Sequence, residues 1–482
     1  MKPFIARILS IAMLLTCILS ITITMLFLLP GSPSICPLLP TAIAWAQGAT
    51  VHAQGTAFEP PEIKFSSSLN PVGSGARALG MGGAFIAFAD DATAASWNPA
   101  GLKHLLEPEM SIVGQYDDRR EGFSFSRSPE ASNQYQLSSE HLNYLSLAYP
   151  FQWMDRNFVF SLNYQNLYSL NRQMHYLYPY QNPNINMNYE VTYRQKGNLK
   201  AVSPAIATFL TRTLSFGLTL NFWSDKLYDN GWVEDYSRSG RGTVEVGGET
   251  WGYESFTDKK DRYSFSGFNM NLGLLWDISS SLTLGAVVKS PFTARLKYEG
   301  KSLSNQVWLD GPGQEIPSYT SQCDDQKLSL PLSYGIGLAV RPSDRLIFDL
   351  DIYRTEWNGY VLQDDAGHRI DPITCLPKEE SRIEPTHQVR LGSEYVFLHR
   401  GMTFSPRFGL FYDPEPARGK PDDFYGFSLG FGVTLGRMAP VAIDLAYQYR
   451  FGRNVEADSI KGQTSPADVR QHLFYHSVIY YF

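Results

Sequence analysis

The chain has 482 residues, a formal net charge of −6 and a pI near 5.9, so it lacks the basic excess that a nucleic-acid-binding protein needs. Charged residues make up 18% and aromatic residues 14%, and the mean hydropathy is −0.22. After the first 31 residues no apolar run is long enough to form a membrane-spanning helix, which excludes a bundle of such helices. A chain rich in aromatic residues and glycine without such runs is typical of transmembrane β-barrels.

The N-terminal segment has the features of a secretory signal. Lys2 and Arg7 precede an apolar stretch over residues 8–29, and small residues surround a candidate cleavage site after Ala46. We therefore predict a signal peptide over residues 1–46. The apolar stretch is longer than the core of most signal peptides, so an uncleaved anchor is the alternative.

Residues 47–108 form the next predicted unit, a compact hatch or plug rather than a strand. They are rich in glycine and other small residues, which allow close packing of backbone. Asp90 or Asp91 is placed to cap a short helix over Ala92–Trp97, and Pro99 disfavours its extension.

Residues 109–482 alternate between apolar and small or polar side chains. For example, Leu214, Phe216 and Leu218 alternate with Ser215 and Gly217. A strand directs alternate side chains to opposite faces, so each such segment has one apolar face. Fourteen strands are predicted: 109–116, 141–150, 157–170, 198–211, 214–224, 263–277, 281–290, 328–341, 345–354, 386–397, 401–412, 424–436, 440–451 and 470–482.

The connections between these strands alternate between short and long. Six short turns separate seven long polar loops, the pattern of an outer-membrane barrel with periplasmic turns and external loops. We therefore predict an all-β fold, a 14-stranded antiparallel transmembrane β-barrel closed by the N-terminal hatch, because an open barrel of this width would hold a wide aqueous channel. The expected location is the bacterial outer membrane, in contact with its lipid and lipopolysaccharide. A soluble β-sandwich or propeller is the alternative.

The chain ends in a strand with aromatic residues at alternate positions and a terminal Phe482. This ending resembles the signal that the barrel-insertion machinery of the outer membrane reads, so that machinery is an expected partner.

A family resemblance rests on the hatch. The run GARALGMGGAFIAFADDATAASWNPAGL at residues 75–102 resembles the N-terminal hatch of the FadL family, and Asn98-Pro99-Ala100 is its most characteristic tripeptide. Weaker similarities follow at residues 289–292, 349–357 and 411–416. The family consists of 14-stranded outer-membrane barrels that import long-chain fatty acids and aromatic hydrocarbons.

The resemblance implies passive transport of small hydrophobic molecules. External loops would capture the ligand, a pocket above the hatch would hold it, and a movement of the hatch would release it sideways into the bilayer, driven by partition of apolar surface out of water. In the hatch, the implied ligand-binding and gating residues are Phe85, Phe88, Trp97, Asn98, Pro99 and Ala100. In the loops over 225–262 and 291–327, the implied lining of an entrance groove is Trp232, Trp251, Tyr253, Phe256 and Trp308. Ordinary packing is the alternative for each of these residues.

A second function stays open. The GARALGMGGAF form of the hatch also resembles family branches that act as accessories in protein secretion, and the external loops are rich in Tyr, Asn and Asp. The alternative reading is therefore an outer-membrane barrel that assists protein secretion or surface attachment.

The remaining motifs indicate neither an enzyme nor a metal site. Residues 426–430 match G-x-S-x-G, but they lie inside an alternating strand rather than at a strand-to-helix turn. Cys323 and Cys375 lie in external loops, where they form either one disulfide or two unpaired thiols. Neither has His or Cys at ligand spacing, so we expect no metal and no cofactor.

Overall fold

A computed structural model describes residues 73–124, 132–311, 317–436, 440–460 and 463–482. The predicted signal peptide over 1–46 and the first part of the predicted hatch, 47–72, lie outside the described residues. The described chain contains twenty-one strands, numbered here in chain order: β1 (Glu109–Phe123), β2 (Asn133–Trp153), β3 (Arg156–Ser169), β4 (Arg172–Asn182), β5 (Ile185–Phe209), β6 (Leu214–Trp223), β7 (Gly231–Val246), β8 (Glu249–Ser279), β9 (Leu282–Lys289), β10 (Phe292–Trp308), β11 (Ser318–Leu330), β12 (Ser333–Ser343), β13 (Leu346–Thr355), β14 (Val361–Gln363), β15 (Arg369–Ile370), β16 (Thr386–Tyr395), β17 (Phe397–His399), β18 (Met402–Tyr412), β19 (Phe424–Leu435), β20 (Val441–Ile460) and β21 (Gln463–Tyr481).

Fourteen of these strands form a closed antiparallel barrel, which confirms the predicted fold class. The first strand pairs with the last, from Glu109 opposite Tyr481 to Phe123 opposite Ala467, so the sheet has no open edge at this seam. Going round the wall, each strand pairs with the next in the order β1, β2, β3, β5, β6, β8, β9, β12, β13, β16, β18, β19, β20, β21.

The alternating side chains lie on the two faces of the barrel wall that the sequence predicts. Apolar side chains on the outer face are exposed, for instance Ile336 at 62% and Leu445 at 54%. Small and polar side chains such as Ser161, Ser203 and Thr219 are fully buried on the inner face. An apolar outer surface and a polar inner surface are what a lipid bilayer requires of a spanning barrel.

Five of the seven predicted long loops are wrong as loops: 117–140 and 452–469 are mostly strand because β1, β2, β20 and β21 extend past their predicted ends, and three others form a sheet. Much of 171–197, 225–262 and 291–327 is strand, and it pairs in the order β4, β5, β7, β8, β10, β11 into a sheet that continues the wall beyond the long-loop end of the barrel. We call this part, made of β4, β7, β10, β11 and the adjoining halves of β5 and β8, the outer sheet. Its hairpins are polar but rich in Tyr, Val and Thr, which favour strands.

The predicted strand 328–341 is also wrong in its extent. It is divided between β11, which ends at Leu330, and β12, which begins at Ser333. Pro331 has no backbone N–H for the ladder, and the strand ends there. As a result Leu328 is fully buried, whereas Ile336 faces outward.

The described part of the hatch, residues 73–108, lies inside the barrel. It contains short α-helices at Ala76–Gly80 and Ala94–Trp97 and a 3₁₀-helix at Pro99–His104. The predicted helix over Ala92–Trp97 starts two residues late, because Asp91 accepts hydrogen bonds from the amide and hydroxyl of Thr93 and forms a turn instead of a cap.

Two further short helices lie at the long-loop end, an α-helix at Asp225–Tyr228 and a 3₁₀-helix at Trp357–Gly359. Among the described residues, no helix has the length and apolar character to cross a membrane.

Candidate functional site

Glycines on the inner face of the wall let the hatch backbone approach closely. A Cβ atom added at Gly217 would lie 2.1 Å from the carbonyl carbon of Pro99, and one added at Gly273 would lie 2.0 Å from Oδ1 of Asn98. The hatch therefore occupies the space in which wall side chains would otherwise stand. The same close approach occurs at Gly285, Gly337, Gly392, Gly409 and Gly430.

Asn98 links two parts of the hatch to the wall. Its Nδ2 donates to the carbonyl oxygen of Ile86 over 2.8 Å and to that of Leu274 in β8 over 3.0 Å. Its Oδ1 accepts from the amide of Ala100 over 3.2 Å. The side chain is fully buried, so each of these bonds replaces one to water that is not available there.

Charged side chains hold the hatch on the opposite side of the barrel. Arg77 donates to both carboxylate oxygens of Glu394 in β16, over 3.0 and 2.9 Å, and it also pairs with Asp90 of the hatch. Arg407 in β18 joins Glu394 to Asp444 in β20. Glu394, Arg407 and Asp444 are buried, whereas Arg77 and Asp90 are half-buried. Bidentate Arg–carboxylate contacts are strong and directional in such surroundings.

A third anchor lies on β13. Asp351 accepts hydrogen bonds from the backbone amides of Phe85 and Ile86, over 2.6 and 2.9 Å. A carboxylate that binds two successive amides fixes the local backbone. The hatch is thus bound to β8, β13, β16 and the strands around them, and it closes the barrel.

A pocket lies directly above the hatch, on its long-loop side. Along the inner face of β6, Thr219 donates to the carbonyl oxygen of Ala95 in the hatch, and the next inner residue, Asn221, already lines the pocket. The pocket is narrow, with a cavity volume of about 50 Å³, and the wider empty space of about 630 Å³ around it includes open solvent. Its lining is Leu167, Tyr168, Asn221, Trp223, Asn269, Asn271, Lys289, Ser290, Phe292, Leu330, Pro331, Ser333, Thr355, Trp357 and Tyr360.

Aromatic rings form most of the apolar wall of this pocket. Trp223 lies nearly parallel to Tyr168 on one side, with centroids 6.4 Å apart, and to Phe292 on the other, with centroids 5.8 Å apart. Trp357 and Tyr360 meet edge to face at 5.7 Å. Trp357 is fixed by a hydrogen bond from Nε1 to the hydroxyl of Thr386. Aromatic walls that are already fixed in place bind apolar and aromatic molecules at little cost in conformational entropy.

Three polar side chains lie low in the pocket. Asn271 accepts from Nδ2 of Asn221, and Asn269 accepts from Nε1 of Trp223, so both carbonyl oxygens are used and both amide NH₂ groups remain as donors. Lys289, the last residue of β9, is 6% exposed and adds an ammonium group. The polar part of the pocket is therefore rich in donors.

A buried apolar cluster connects the pocket with the outer sheet. It includes Trp223, Leu330 and Trp357 of the pocket and extends to Trp232, which stacks on Tyr263 at 4.6 Å. Beside this stack, Glu234 accepts from Nε1 of Trp232 over 2.8 Å. Burial raises the pKa of Glu234 to about 7, and the nearby Asp261 acts in the same direction.

The predicted hatch residues lie in the interior of the hatch. Phe85 packs edge to face against Phe88 and Trp97, at 5.7 and 6.0 Å, and all three are at most 2% exposed. Pro99 and Ala100 lie against the wall at Gly217 and Gly273. None of these residues is among those that line the pocket. Their contact with a ligand stays a prediction.

The predicted entrance-groove residues divide between different surfaces. Tyr253 and Trp308 meet edge to face at 5.2 Å. Trp251 lies beside Trp308, since both approach Gly311. Trp232 is 2% exposed and belongs to the buried cluster, whereas Phe256, three residues from Tyr253 on β8, lies on the other face of the sheet and is 39% exposed. Contact of these residues with ligand stays a prediction as well.

Sequence reasoning did not identify the main pocket residues as such. Lys289, Trp223, Phe292 and Trp357 come from the ends of different strands and the segments that follow them. One signal was present for Lys289: it occupies the small or polar face of β9, in line with Thr283 and Gly285, where a long cation is unusual. The aromatic residues gave no such signal, because girdle residues have the same position and composition.

The described residues include both cysteines of the predicted disulfide and side chains of the kinds that could hold a metal ion. Cys323 lies in β11, and Cys375 lies in the loop after β15 with φ 56°, and their pairing stays a prediction. Within the described ranges, no group of three or more His, Cys, Asp or Glu side chains is arranged to hold a metal ion.

Comparison with known proteins gives one family and several related folds. The sequence profile described as "Outer membrane protein transport protein (OMPP1/FadL/TodX)" matches residues 67–473. A FadL homologue from Pseudomonas aeruginosa is 16% identical with a TM-score of 0.57, and the alignment covers 86% of this chain and 99% of that one. The toluene transporter TodX of P. putida is 14% identical with a TM-score of 0.52, over 85% of this chain and 99% of that one. No curated protein matches the sequence.

Proposed function

The chain belongs to the outer membrane protein transport protein family (OMPP1/FadL/TodX), and we propose that it carries small hydrophobic molecules passively across the bacterial outer membrane. The family is one of transport channels, not of enzymes. The observation that supports this function best is the aromatic-lined pocket directly above a hatch that closes the barrel. A closed barrel with an apolar pocket suits a molecule that binds before it crosses, whereas an open aqueous channel suits polar solutes.

The surroundings of the barrel fit this role. The exposed apolar face contacts outer-membrane lipid. We propose that the outer sheet, which continues the wall past the long-loop end of the barrel, extends into the layer of lipopolysaccharide sugars. The sugar layer is the barrier for an apolar molecule. The outer sheet and the buried cluster that joins it to the pocket offer a path past the sugars. Each Å² of apolar ligand surface that leaves water on this path contributes about 25 cal/mol.

A break in the wall offers a sideways exit from the pocket. The ladder between β5 and β6 pairs Val202 with Phe222 and Ala205 with Thr219, but it skips the two positions between them. Pro204 stands in this gap and has no N–H to donate. Asn221 lines the pocket, and across the gap it accepts a hydrogen bond from Ser203, the residue before Pro204. A ligand that passes here enters the bilayer without crossing the hatch.

Insertion into the membrane would depend on β21. This strand closes the barrel, exposes Phe474 and Val478 on its outer face and ends just before Phe482, which is 58% exposed. We propose that this strand is the one that the barrel-insertion machinery of the outer membrane engages.

Uptake by cells tests the transport function. Cells with the gene, and cells from which it has been deleted, would be given radiolabelled toluene and oleate at concentrations below saturation. We expect faster uptake of at least one compound when the barrel is present. A chain with Asn157→Ala, a change at the exposed start of β3 away from the pocket, would serve as the control for expression and assembly. Equal uptake with and without the gene, at equal barrel levels, contradicts the proposal.

A second function has one observation in its favour. The outer sheet exposes apolar side chains far from the barrel's lipid-facing band, among them Leu177 at 52% and Tyr319 at 61%. Such a surface fits a barrel that helps in protein secretion or surface attachment. Loss of a secreted protein on deletion of the gene, with unchanged uptake of apolar compounds, would favour this function over transport.

A further inference from the structure

The outward face of the outer sheet changes in chemistry with distance from the lipid-facing band of the barrel. Strand β8 carries the whole series on one face, because its ladders over residues 249–276 have no bulge. Phe268 is an exposed apolar side chain of the band. Arg262 and Lys260 follow as exposed cations, and the exposed ring of Phe256 lies beyond them. Along this face an apolar section is therefore followed by a basic one and then by a mixed one.

The basic section crosses several neighbouring strands, and we call it the basic belt. Four of its cations form ion pairs, Lys260 with Asp235, Arg262 with Asp229, Arg295 with Asp325 and Lys297 with Glu299. Among the described residues, no acid forms an ion pair with its other four cations, which are Arg194 and Lys196 on β5, Lys301 on β10 and Lys327 on β11. The belt thus keeps an excess of positive charge, although the whole chain has a net charge of −6.

Two pairs of belt cations lie directly opposite each other on neighbouring strands. Lys260 on β8 faces Lys301 on β10, and Arg295 on β10 faces Lys327 on β11. Like charges in directly opposite positions destabilise a sheet. An anionic group between the two members of a pair replaces their repulsion by two attractions. The belt therefore indicates an anionic occupant.

A groove opens beyond the belt on the same face of the sheet. It has a cavity volume of about 720 Å³ and crosses β4, β5, β7, β8 and β10. It begins at Phe256, four residues past Lys260, or about 14 Å along the strand. Phe256 and Leu177 give it exposed apolar surface, and Arg241 pairs with Glu254 beside them at 3.1 Å. Apolar surface next to planar hydrogen-bonding groups suits sugar rings, which have C–H faces and hydroxyl edges.

The position of the belt decides between anionic occupants. Arg295 lies opposite Ser266, two residues from Phe268, so the belt begins directly at the edge of the lipid-facing band. An acidic protein would meet lipid at this edge, whereas a phosphorylated lipid places its acyl chains on the band and its phosphates on the belt. Lipopolysaccharide has acyl chains, phosphates and sugars in this order from the bilayer outward.

We propose that this face of the outer sheet docks lipopolysaccharide, with its phosphate groups on the basic belt and its core sugars in the groove. The inference goes beyond transport, because none of these side chains lines the pocket above the hatch. It rests on the placement proposed above for the outer sheet. It also gives the cations that have no acid partner a common role.

Lipid retention by the purified full chain tests the docking. The chain would be placed in phosphatidylcholine nanodiscs that contain one of three probes: lipopolysaccharide with a complete core, the same molecule after removal of its phosphates, or a deep-rough form without the outer core sugars. Native mass spectrometry would count the probe molecules that stay bound. We expect roughly tenfold weaker binding without the phosphates and weaker binding without the outer sugars. Equal binding of the dephosphorylated probe overturns the role of the belt, and equal binding of the deep-rough probe overturns that of the groove.

Variants at three exposed belt lysines separate recognition from folding. Lys196→Gln/Lys301→Gln/Lys327→Gln removes three charges that have no acid partner, and it should lower binding of complete lipopolysaccharide to that of the dephosphorylated probe. The same three lysines changed to arginine should keep the binding. The matched control is a triple variant with the same change in net charge at exposed short turns, Arg156→Gln/Arg212→Gln/Arg345→Gln, and it should bind as the wild type does. Wild-type binding by the glutamine variant of the belt contradicts the inference.

Uptake by cells distinguishes this inference from the transport function. At equal barrel levels, the glutamine variant of the belt should take up toluene and oleate as the wild type does. If that variant still retains lipopolysaccharide fully, the docking fails and transport stands. If the wild-type barrel speeds uptake of neither compound, the transport function fails, and lipid retention still decides the docking.

Discussion

Asn98 in the hatch donates a hydrogen bond from Nδ2 to the carbonyl oxygen of Leu274 in the barrel wall, over 3.0 Å. The bond is possible because the neighbouring wall residue is Gly273, at which any Cβ would overlap Oδ1 of Asn98. The contact between hatch and wall therefore depends on the amide side chain of Asn98 and on the absence of a side chain at Gly273. The same nitrogen also holds the carbonyl oxygen of Ile86, so the contact stabilises the fold of the hatch and its position together.

Asn98→Ala should loosen the hatch without unfolding the barrel. The change leaves the buried carbonyl oxygens of Ile86 and Leu274 without their donor and should cost about 2–4 kcal/mol in hatch stability. Hydrogen exchange followed by mass spectrometry would measure it, as faster exchange over residues 76–102 with unchanged exchange in the strands. Asn157→Ala, at the exposed start of β3, is the control. Equal exchange in the two variants would contradict a gating role for Asn98.

Gly217→Ala tests the fit between hatch and wall. The new Cβ would lie 2.1 Å from the carbonyl carbon of Pro99, which is backbone and cannot rotate away. Overpacking of this kind typically costs about 1–3 kcal/mol. We expect a lower unfolding temperature in calorimetry and faster exchange of the hatch amides. At Gly122 the same change meets its nearest atom at 3.9 Å, so Gly122→Ala should unfold as the wild type does. If both variants melt alike, the hatch is not held by this contact.

The sequence predicts the barrel well because its physical rule is local. Alternation of side chains such as Leu214 and Ser215 decides which face meets lipid, and each strand carries that information by itself. The outer sheet was not predicted, because Tyr-rich hairpins such as β4 and β5 are polar on both faces and resemble loops. Pro331 directly follows β11. The apolar residues on both sides of it, from Leu328 to Tyr334, occupy every second position without interruption, so the alternation gives no sign that one strand ends and another begins.

The pocket was beyond sequence reasoning for a different reason. Tyr168, Trp223, Phe292 and Trp357 come from the ends of separate strands or just beyond them, and only the register of the strands between them brings them together. A shift of one residue in any of those ladders would move a ring from the lumen to the lipid face. The Asn98–Pro99–Ala100 motif located the hatch but not the pocket, because those residues contact the wall below it.

The outer sheet should become less stable as the pH rises, because of Glu234. Burial raises the pKa of this carboxyl from its usual 4.5 to about 7. The protonated Glu234 carboxyl therefore stabilises the outer sheet fully below about pH 4.5. This contribution to stability declines as the pH rises from there to about 7, and it is lost above that range. The decrease is of the order of 3 kcal/mol. Hydrogen exchange over residues 231–246 at pH values between 4.5 and 8 would measure it, after correction for the intrinsic rate.

Glu234→Gln should remove most of that dependence, because the amide can accept from Trp232 without an ionisation. Glu249→Gln, on an exposed hairpin of the same sheet, should leave the dependence as it is in the wild type. A Glu234→Gln chain with the full wild-type dependence would show that another group is responsible.

A cross-link over the gap between β5 and β6 should stop transport if the ligand leaves there. The hydroxyl of Ser203 lies 2.8 Å from Oδ1 of Asn221, so cysteines at both positions are near enough to form a disulfide across the gap. In the oxidised double variant Ser203→Cys/Asn221→Cys, we expect binding of the transported compound, toluene or oleate, to persist and its uptake to fall to the level of cells without the gene. A reductant should restore uptake. Because Asn221 lines the pocket, the two single variants and the wild type, treated with the same oxidant and reductant, separate the effect of the cross-link from that of the substitutions. Uptake at the single-variant rate by a fully cross-linked chain would place the exit elsewhere, since a covalent bridge at this point leaves no opening between the two strands.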